Sequence, residues 1–277
     1  MSDRLIAKVF DFAITTRCTM SCRLCVAGIP YNKNPRHTPK DEAFREIEEF
    51  FRVWNFAERI EIIGGEPLMH PDIYEIIEEA LKYPDCFGRF RVTTNSTIVP
   101  SDRLLELAAS CDKPFDFIVD DYGEHSQNLV PLTKKLDEYR IPYRVDVYHG
   151  GNQNYGGWID FGDRTDQGYT DQDLQAVFKK CLAPKYPFTS VNDGKAFSCV
   201  FALSLYLSTG RLKVGDYVDL FDDSISLEEK REIARGFHTI PIDACRYCRG
   251  FDNENGKRYL GPPEQIYSLN HAQIHEI

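Results

Sequence analysis

The stretch TTRCTMSCRLC, residues 15–25, sets Cys18, Cys22 and Cys25 at C-x3-C-x2-C spacing directly after a short apolar run, AKVFDFAI, residues 7–14. Three thiolates on one loop hold three irons of a cubic 4Fe–4S cluster and leave the fourth iron open to a ligand from outside the chain. Structural zinc is the plainer alternative. It asks for four ligands, usually in paired knuckles, and the nearest extra candidate is His37, twelve residues beyond Cys25. The spacing favours the open iron.

Outward from this loop, β-rich runs alternate with amphipathic helical stretches. The cysteine loop is followed by a helix, DEAFREIEEFFRVW, with Phe44, Ile47, Phe50, Phe51 and Trp54 at helical intervals. Then come strand RIEIIG, helix PDIYEIIEEALKY, strand RFRVTTN, helix SDRLLELAAS, strand FDFIVDD, helix NLVPLTKKLDEY and strand YRVDVYH. Such βα repetition predicts a parallel sheet with right-handed crossovers. The pattern breaks at His149, where residues 150–168 are rich in Gly, Asn and Asp, and the brief apolar run WIDF within them is a candidate sixth strand. Beyond a further helix, DLQAVFKKCL, the segment FTSVNDGKAFSC reads as a hairpin turning at Asn192, Asp193 and Gly194.

Composition narrows the function classes. The chain has 277 residues, 42% of them hydrophobic, with 33 basic against 43 acidic side chains for a net charge of −10. That balance argues against a nucleic-acid or anionic-membrane partner, both of which are bound by clustered Lys and Arg. No run of eighteen apolar residues and no signal-peptide core occur, so a cytoplasmic location is expected. In a reducing compartment, metal binding is the better use for nine cysteines than disulfides.

The cysteine loop, its place after the first strand and the βα run together resemble the radical S-adenosylmethionine (radical SAM) superfamily. The resemblance implies that S-adenosylmethionine chelates the open iron and is cleaved by one electron to methionine and a 5′-deoxyadenosyl radical, which takes a hydrogen from substrate. It also implies a reducing electron donor of flavodoxin or ferredoxin type. The family's usual aromatic residue before the third cysteine is Leu24 here. The segment GGEP, Gly64, Gly65, Glu66 and Pro67, resembles the one that receives the S-adenosylmethionine amino group, with Glu66 able to accept from an ammonium. Asn95, ending the third strand, and Asp120, ending the fourth, stand where the family contacts S-adenosylmethionine; Asp146 on strand five is expected to point inward with Arg144. Asp121, Arg144 and His149 are the candidate catalytic residues at the barrel mouth, where loops after several strands converge. His125 is a weaker candidate.

A second set, Cys181, Cys199, Cys245 and Cys248, reads C-x12-G-x4-C followed by CRYC. Alone it suits zinc or an iron–sulfur cluster equally. Beside a radical SAM core it resembles the auxiliary-cluster domains called SPASM and its shortened form, Twitch. The later cysteines of SPASM are missing, so Twitch with one auxiliary 4Fe–4S cluster is the better match. The expected architecture is a partial (β/α)6 TIM-like barrel over residues 1–168, a Twitch domain with a β-hairpin over 169–260 and a C-terminal tail over 261–277.

A four-thiolate cluster has no open iron, so its natural task is to accept an electron. Hydrogen abstraction plus electron loss is a two-electron oxidation. The first strand begins near residue 7, too early for a fused leader-peptide-binding domain, and the polar and aromatic residues of 150–168 suit a sugar wall. The expectation is therefore oxidation, or epimerisation, of a sugar, aminosugar or cyclitol carbinol. Modification of a short peptide and a purely structural iron–sulfur or zinc role are the alternatives. Cys86 and Cys111 read as apolar packing, with a hydrogen-donor role in an epimerase as the alternative.

Overall fold

A computed structural model describes residues 4–150, 159–252 and 264–266. Five parallel strands alternate with helices along the first half: β1 Ile6–Thr15, α1 Lys40–Val53, β2 Phe56–Gly64, α2 Ile73–Leu81, β3 Phe87–Thr94, α3 Asp102–Ala109, β4 Phe115–Asp121, α4 Leu129–Glu138 and β5 Tyr143–Val147. Then follow α5 Asp171–Lys180, β6 Phe188–Asn192, β7 Lys195–Phe197, α6 Val200–Thr209, β8 Tyr217–Asp219 and α7 Leu227–Gly236.

All eight strands form one open sheet in the order β5-β4-β3-β2-β1-β6-β7-β8. The pairings from β5 through to β6 are parallel, and β7 and β8 add antiparallel. Six parallel strands are thus present, but the sixth is not WIDF. Within that run Ile159 and Phe161 are instead buried in a second apolar cluster. The sixth parallel strand is β6, on the far side of β1, with Val9 opposite Phe188 and Phe12 opposite Val191. An apolar strand with both neighbours taken is buried along nearly its whole length, and β1 is: from Val9 to Thr15 every residue is buried.

Alternation along the strands separates two faces. Phe10, Phe12, Ile60, Ile62, Phe90, Val92, Phe117 and Val119 face the helices in the main core. There Phe50 of α1 stacks on Phe10 with ring centroids 3.8 Å apart. The other face is polar. One register row crosses five strands as Ser190, Asp11, Glu61, Arg91 and Asp116. Within the row Ser190 Oγ donates to Asp11 Oδ2 at 2.7 Å and Arg91 Nε to Asp116 at 2.5 Å, and Thr93 Oγ1, farther along β3, donates to Glu61 at 2.7 Å. The functional cavity opens beside this row.

The β6–β7 hairpin turns at Asp193 (φ 57°) and Gly194 (φ 67°). Two left-handed residues make the turn whose twist matches paired strands. The Gly194 N–H donates to Glu46 Oε1 of α1 at 2.7 Å, so the helix layer holds the turn. Three strands from the second half of the chain, β6, β7 and β8, therefore share the sheet of the first half. Among the described residues no helix is long and apolar enough to cross a membrane.

Candidate active site

The three loop cysteines, Gly64, Gly65, Asn95 and Asp120 line one cavity of about 340 Å³ at the C-terminal ends of β1 to β5. The glycines are there because the loop lies against them. A Cβ on Gly65 would fall 2.1 Å from the Arg17 carbonyl oxygen, and one on Gly64 2.1 Å from that of Thr15. Backbone hydrogen bonds close the same contact, Gly65 N–H to Thr15 O and Glu66 N–H to Arg17 O, both at 2.9 Å. The Met20 N–H points at Cys18 Sγ at 3.4 Å, and Asn95 Nδ2 at the same sulfur at 3.6 Å.

Burial pushes all three thiols up, Cys22 to about 12, and neighbouring thiols add to the shift at Cys18 and Cys22. Three adjacent thiolates in such a site need a bound cationic centre, and its binding releases their protons. Among the described residues no three His, Cys, Asp or Glu side chains converge tightly enough for a single metal ion. The three thiols line the cavity, a donor set that would hold three irons of a cubic cluster. His37 is no fourth ligand: its Nδ1 pairs with Thr15 Oγ1 at 2.9 Å, and it is not part of the cavity wall.

Glu66 is buried and committed. Its carboxylate accepts from Leu68 N–H, Thr94 Oγ1 and Asn95 N–H at 3.0, 2.9 and 2.8 Å. Desolvation raises it to about 7, against the pull of those donors. Glu66 thereby locks the end of β3 to that of β2, and Pro67 opens the short turn after it; neither lines the cavity. The predicted catalytic trio is also set apart from it. Asp121 Oδ2 and His149 Nε2 pair at 3.0 Å, and Arg144 forms a two-pronged ion pair with Asp146 at 2.8 and 2.7 Å while its side chain stays 63% exposed. Strand alternation explains the misplacement: the cavity takes Asp120, Tyr122 and Tyr148, not Asp121 and His149.

Three wall residues escaped the sequence reading. Tyr122 and Tyr148 stack at 5.1 Å, and each lies two residues beyond a strand-end aspartate, Asp120 or Asp146, a period-two signal that could have found them. Asp11 is an acid inside an otherwise apolar buried strand, itself a sign of function. Burial raises Asp11 to about 7, with Glu61 adding to it, and raises Asp120 to about 8. Tyr122 OH donates to Asp120 Oδ2 at 3.1 Å; Asp120 Oδ1 is buried with no protein partner.

The second cysteine set is brought together as well. Cys181 ends α5, Cys199 precedes α6, and Cys245 and Cys248 sit on a 3₁₀ turn; all four line a smaller cavity. Burial and the neighbouring thiols raise Cys199 to about 12 and Cys245 to about 11. The Gly250 N–H reaches Cys248 Sγ at 3.2 Å. His238, at φ 63°, lines the same cavity with its Nε2 buried and unpartnered, an orphan that a group rich in sulfur acceptors would satisfy. Phe161, Phe188, Val200 and Phe251 line both cavities. Cys86 and Cys111 line neither and pack against the main core; none of the nine cysteines is in a disulfide.

Residues 12–139 match the model of the Radical SAM superfamily. This stretch is a radical SAM domain. Curated relatives include a GTP 3′,8-cyclase of Aquifex aeolicus, 30% identical over 138 residues, and one of Lactiplantibacillus plantarum, 33% identical over 142. These matches cover 47% and 50% of this chain but only 41% and 36% of the relatives. Around the radical SAM domain the fold is similar to that of BtrN in complex with AdoMet and 2-DOIA, with a TM-score of 0.54 at 16% identity over 96% of this chain and 100% of that one. It is equally similar to anSMEcpe with bound AdoMet, TM-score 0.54 at 11% identity over 98% and 95%.

Proposed function

We propose that the chain is a radical SAM enzyme that oxidises a carbinol of a small polar substrate, a sugar, aminosugar or cyclitol, with residues 169–260 forming a Twitch-type auxiliary-cluster domain. The observation that carries this reading is the convergence of three thiols, two glycines and two carboxyls on one cavity that shares walls with a second cavity of four thiols. Cys18, Cys22 and Cys25 would hold the first 4Fe–4S cluster, and Cys181, Cys199, Cys245 and Cys248 the second. When bound, the first with S-adenosylmethionine supplies hydrogen-atom abstraction, and the second supplies a one-electron acceptor.

The chain's own residues do the rest. Gly64 and Gly65 keep the backbone bare of side chains where the cofactor approaches, and Asn95 joins the end of β3 to the cysteine loop. Asp120 Oδ1, buried and unpartnered, receives the hydroxyl proton as the carbonyl forms; burial raises the carboxyl to about 8, so the ionised form that accepts the proton grows as pH rises towards 8. This role passes to Asp120 from Asp121 and His149, which pair with each other. Tyr122 fixes the orientation of Asp120, and Phe161, Phe188, Val200 and Phe251 exclude water between the two cavities.

The described cavity wall carries acids and aromatics but no Lys or Arg. That favours an amine-bearing substrate over a triphosphate, which would want Arg or Lys. The test is a panel of aminosugars, aminocyclitols, neutral sugars and nucleotides, read by 5′-deoxyadenosine released under a flavodoxin- or ferredoxin-type reductant. Stoichiometric formation of a ketone from an amino-alcohol supports the reading. Stimulation by nucleotides alone overturns it.

A further inference from the structure

Residues 264–266 lie along the cysteine loop, though some 240 residues separate them in the chain. The Arg23 N–H donates to Glu264 O at 2.7 Å and the Ile266 N–H to Ser21 O at 2.8 Å, an antiparallel bridge that straddles Cys22. Arg23 and Glu264 close an ion pair at 2.6 Å beside it. Between these contacts sits Gln265. Its Oε1 accepts from the Ser21 N–H at 2.6 Å, which fixes the carboxamide so that Nε2 faces Cys22 Sγ at 3.2 Å.

We propose that Gln265 is a tuning and positioning residue for the first cluster: it donates a hydrogen bond to the Cys22 thiolate and, with its two neighbours, clasps the loop in place. A thiol is a weak acceptor, but the metal-bound thiolate is a strong one. Hydrogen bonds to cysteine sulfur spread its negative charge and favour the reduced, more negative state of a cluster, which raises its reduction potential. The clasp acts on the middle cysteine of the three. This inference rests on the radical SAM reading of the loop given above.

The experiment uses the full chain, reconstituted anaerobically, with Gln265→Leu and Gln265→Glu beside the wild type. The readout is the midpoint potential of the paramagnetic signal that responds to added S-adenosylmethionine, with iron release to a chelator followed in parallel. Gln265→Leu is expected to move the potential to more negative values. Gln265→Glu, which sets a carboxylate beside the thiolate, is expected to move it at least as far, with faster iron release. The wild-type potential in both variants, whatever their release rates, overturns the proposal while leaving the enzyme reading standing. A wild-type protein with no signal responsive to S-adenosylmethionine overturns both.

Discussion

Tyr122 donates its phenol hydrogen to Oδ2 of Asp120, a residue that lines the cavity of the three loop cysteines, at 3.1 Å and leaves Oδ1 buried without a protein partner. An oriented carboxyl with one free oxygen is the arrangement a proton acceptor needs. Asp120→Asn should lower product formation by a factor on the order of 10² to 10⁴, the usual range for a general base. Cleavage of S-adenosylmethionine without product should persist. Tyr122→Phe should have a smaller effect of the same kind. Product and 5′-deoxyadenosine measured in one reaction check both; parallel loss of the two in Asp120→Asn would assign the residue to cofactor binding instead.

Gly65 is held by contact. Gly65→Ala would set a Cβ 2.1 Å from the Arg17 carbonyl oxygen and 2.8 Å from Cys18 Cβ, so the cysteine loop must lift off β2. Iron at the first site should fall sharply while the second site keeps its metal. Gly236→Ala is the control: nothing lies within 4 Å of its added Cβ, and the change should be neutral or stabilising by up to about 1 kcal/mol.

Glu46 makes stability depend on pH. Burial, with Glu42 and Asp193 adding, raises its carboxyl from 4.5 to about 8 against the hydrogen bond from Gly194. The folded protein therefore binds this proton more tightly than the unfolded chain does, and its stabilising effect is lost as pH rises towards and through about 8. Glu46→Gln keeps an acceptor for Gly194 and carries no charge. The variant should match the wild type near pH 5 and exceed it near pH 9 by an amount on the order of 3 kcal/mol. Thermal or urea unfolding at the two pH values checks this; equal slopes for both proteins would contradict it.

Cys86→Ala and Cys111→Ala should leave the product unchanged, since both side chains pack against the main core and neither lines the cavity. A product whose stereochemistry or yield depends on either thiol would point to epimerisation.

Local order was legible in the sequence. The C-x3-C-x2-C loop, the βα alternation and the Asp193–Gly194 turn depend on neighbours in the chain, and periodicity and spacing report those directly. What was not legible depends on distant partners. The pairing of β6 with β1, the bond from Ser190 to Asp11 and the clasp of Gln265 on Cys22 join residues 179 to 243 positions apart. Arg164 belongs with them. It sits at φ 65° on an irregular loop, yet reaches Ser204 Oγ at 2.9 Å and the Cys25 carbonyl at 3.4 Å, with its guanidinium 4.6 Å from the Tyr31 ring centre. Strand-end acids were visible, but a one-residue difference along a strand exchanges faces. So Asp121 is expected at the barrel mouth beside Asp120, whereas Asp120 and Tyr122 line the cavity and Asp121 does not. Of residues 150–168, the segment expected to form a sugar wall, 151–158 lie outside the described residues, as do 261–263 and 267–277 of the tail.

The central claim is that the loop cysteines hold a cluster on which S-adenosylmethionine is cleaved, beside a second, independent cluster. The most direct test compares the wild type with the Cys18→Ala/Cys22→Ala/Cys25→Ala variant, both purified and reconstituted anaerobically. Iron and sulfide are counted, and 5′-deoxyadenosine is assayed from S-adenosylmethionine with dithionite. About eight irons in the wild type and about four in the variant, with 5′-deoxyadenosine from the wild type alone, is the expected result. A variant that kept all its metal, or a wild type that held zinc and left S-adenosylmethionine intact, would contradict it.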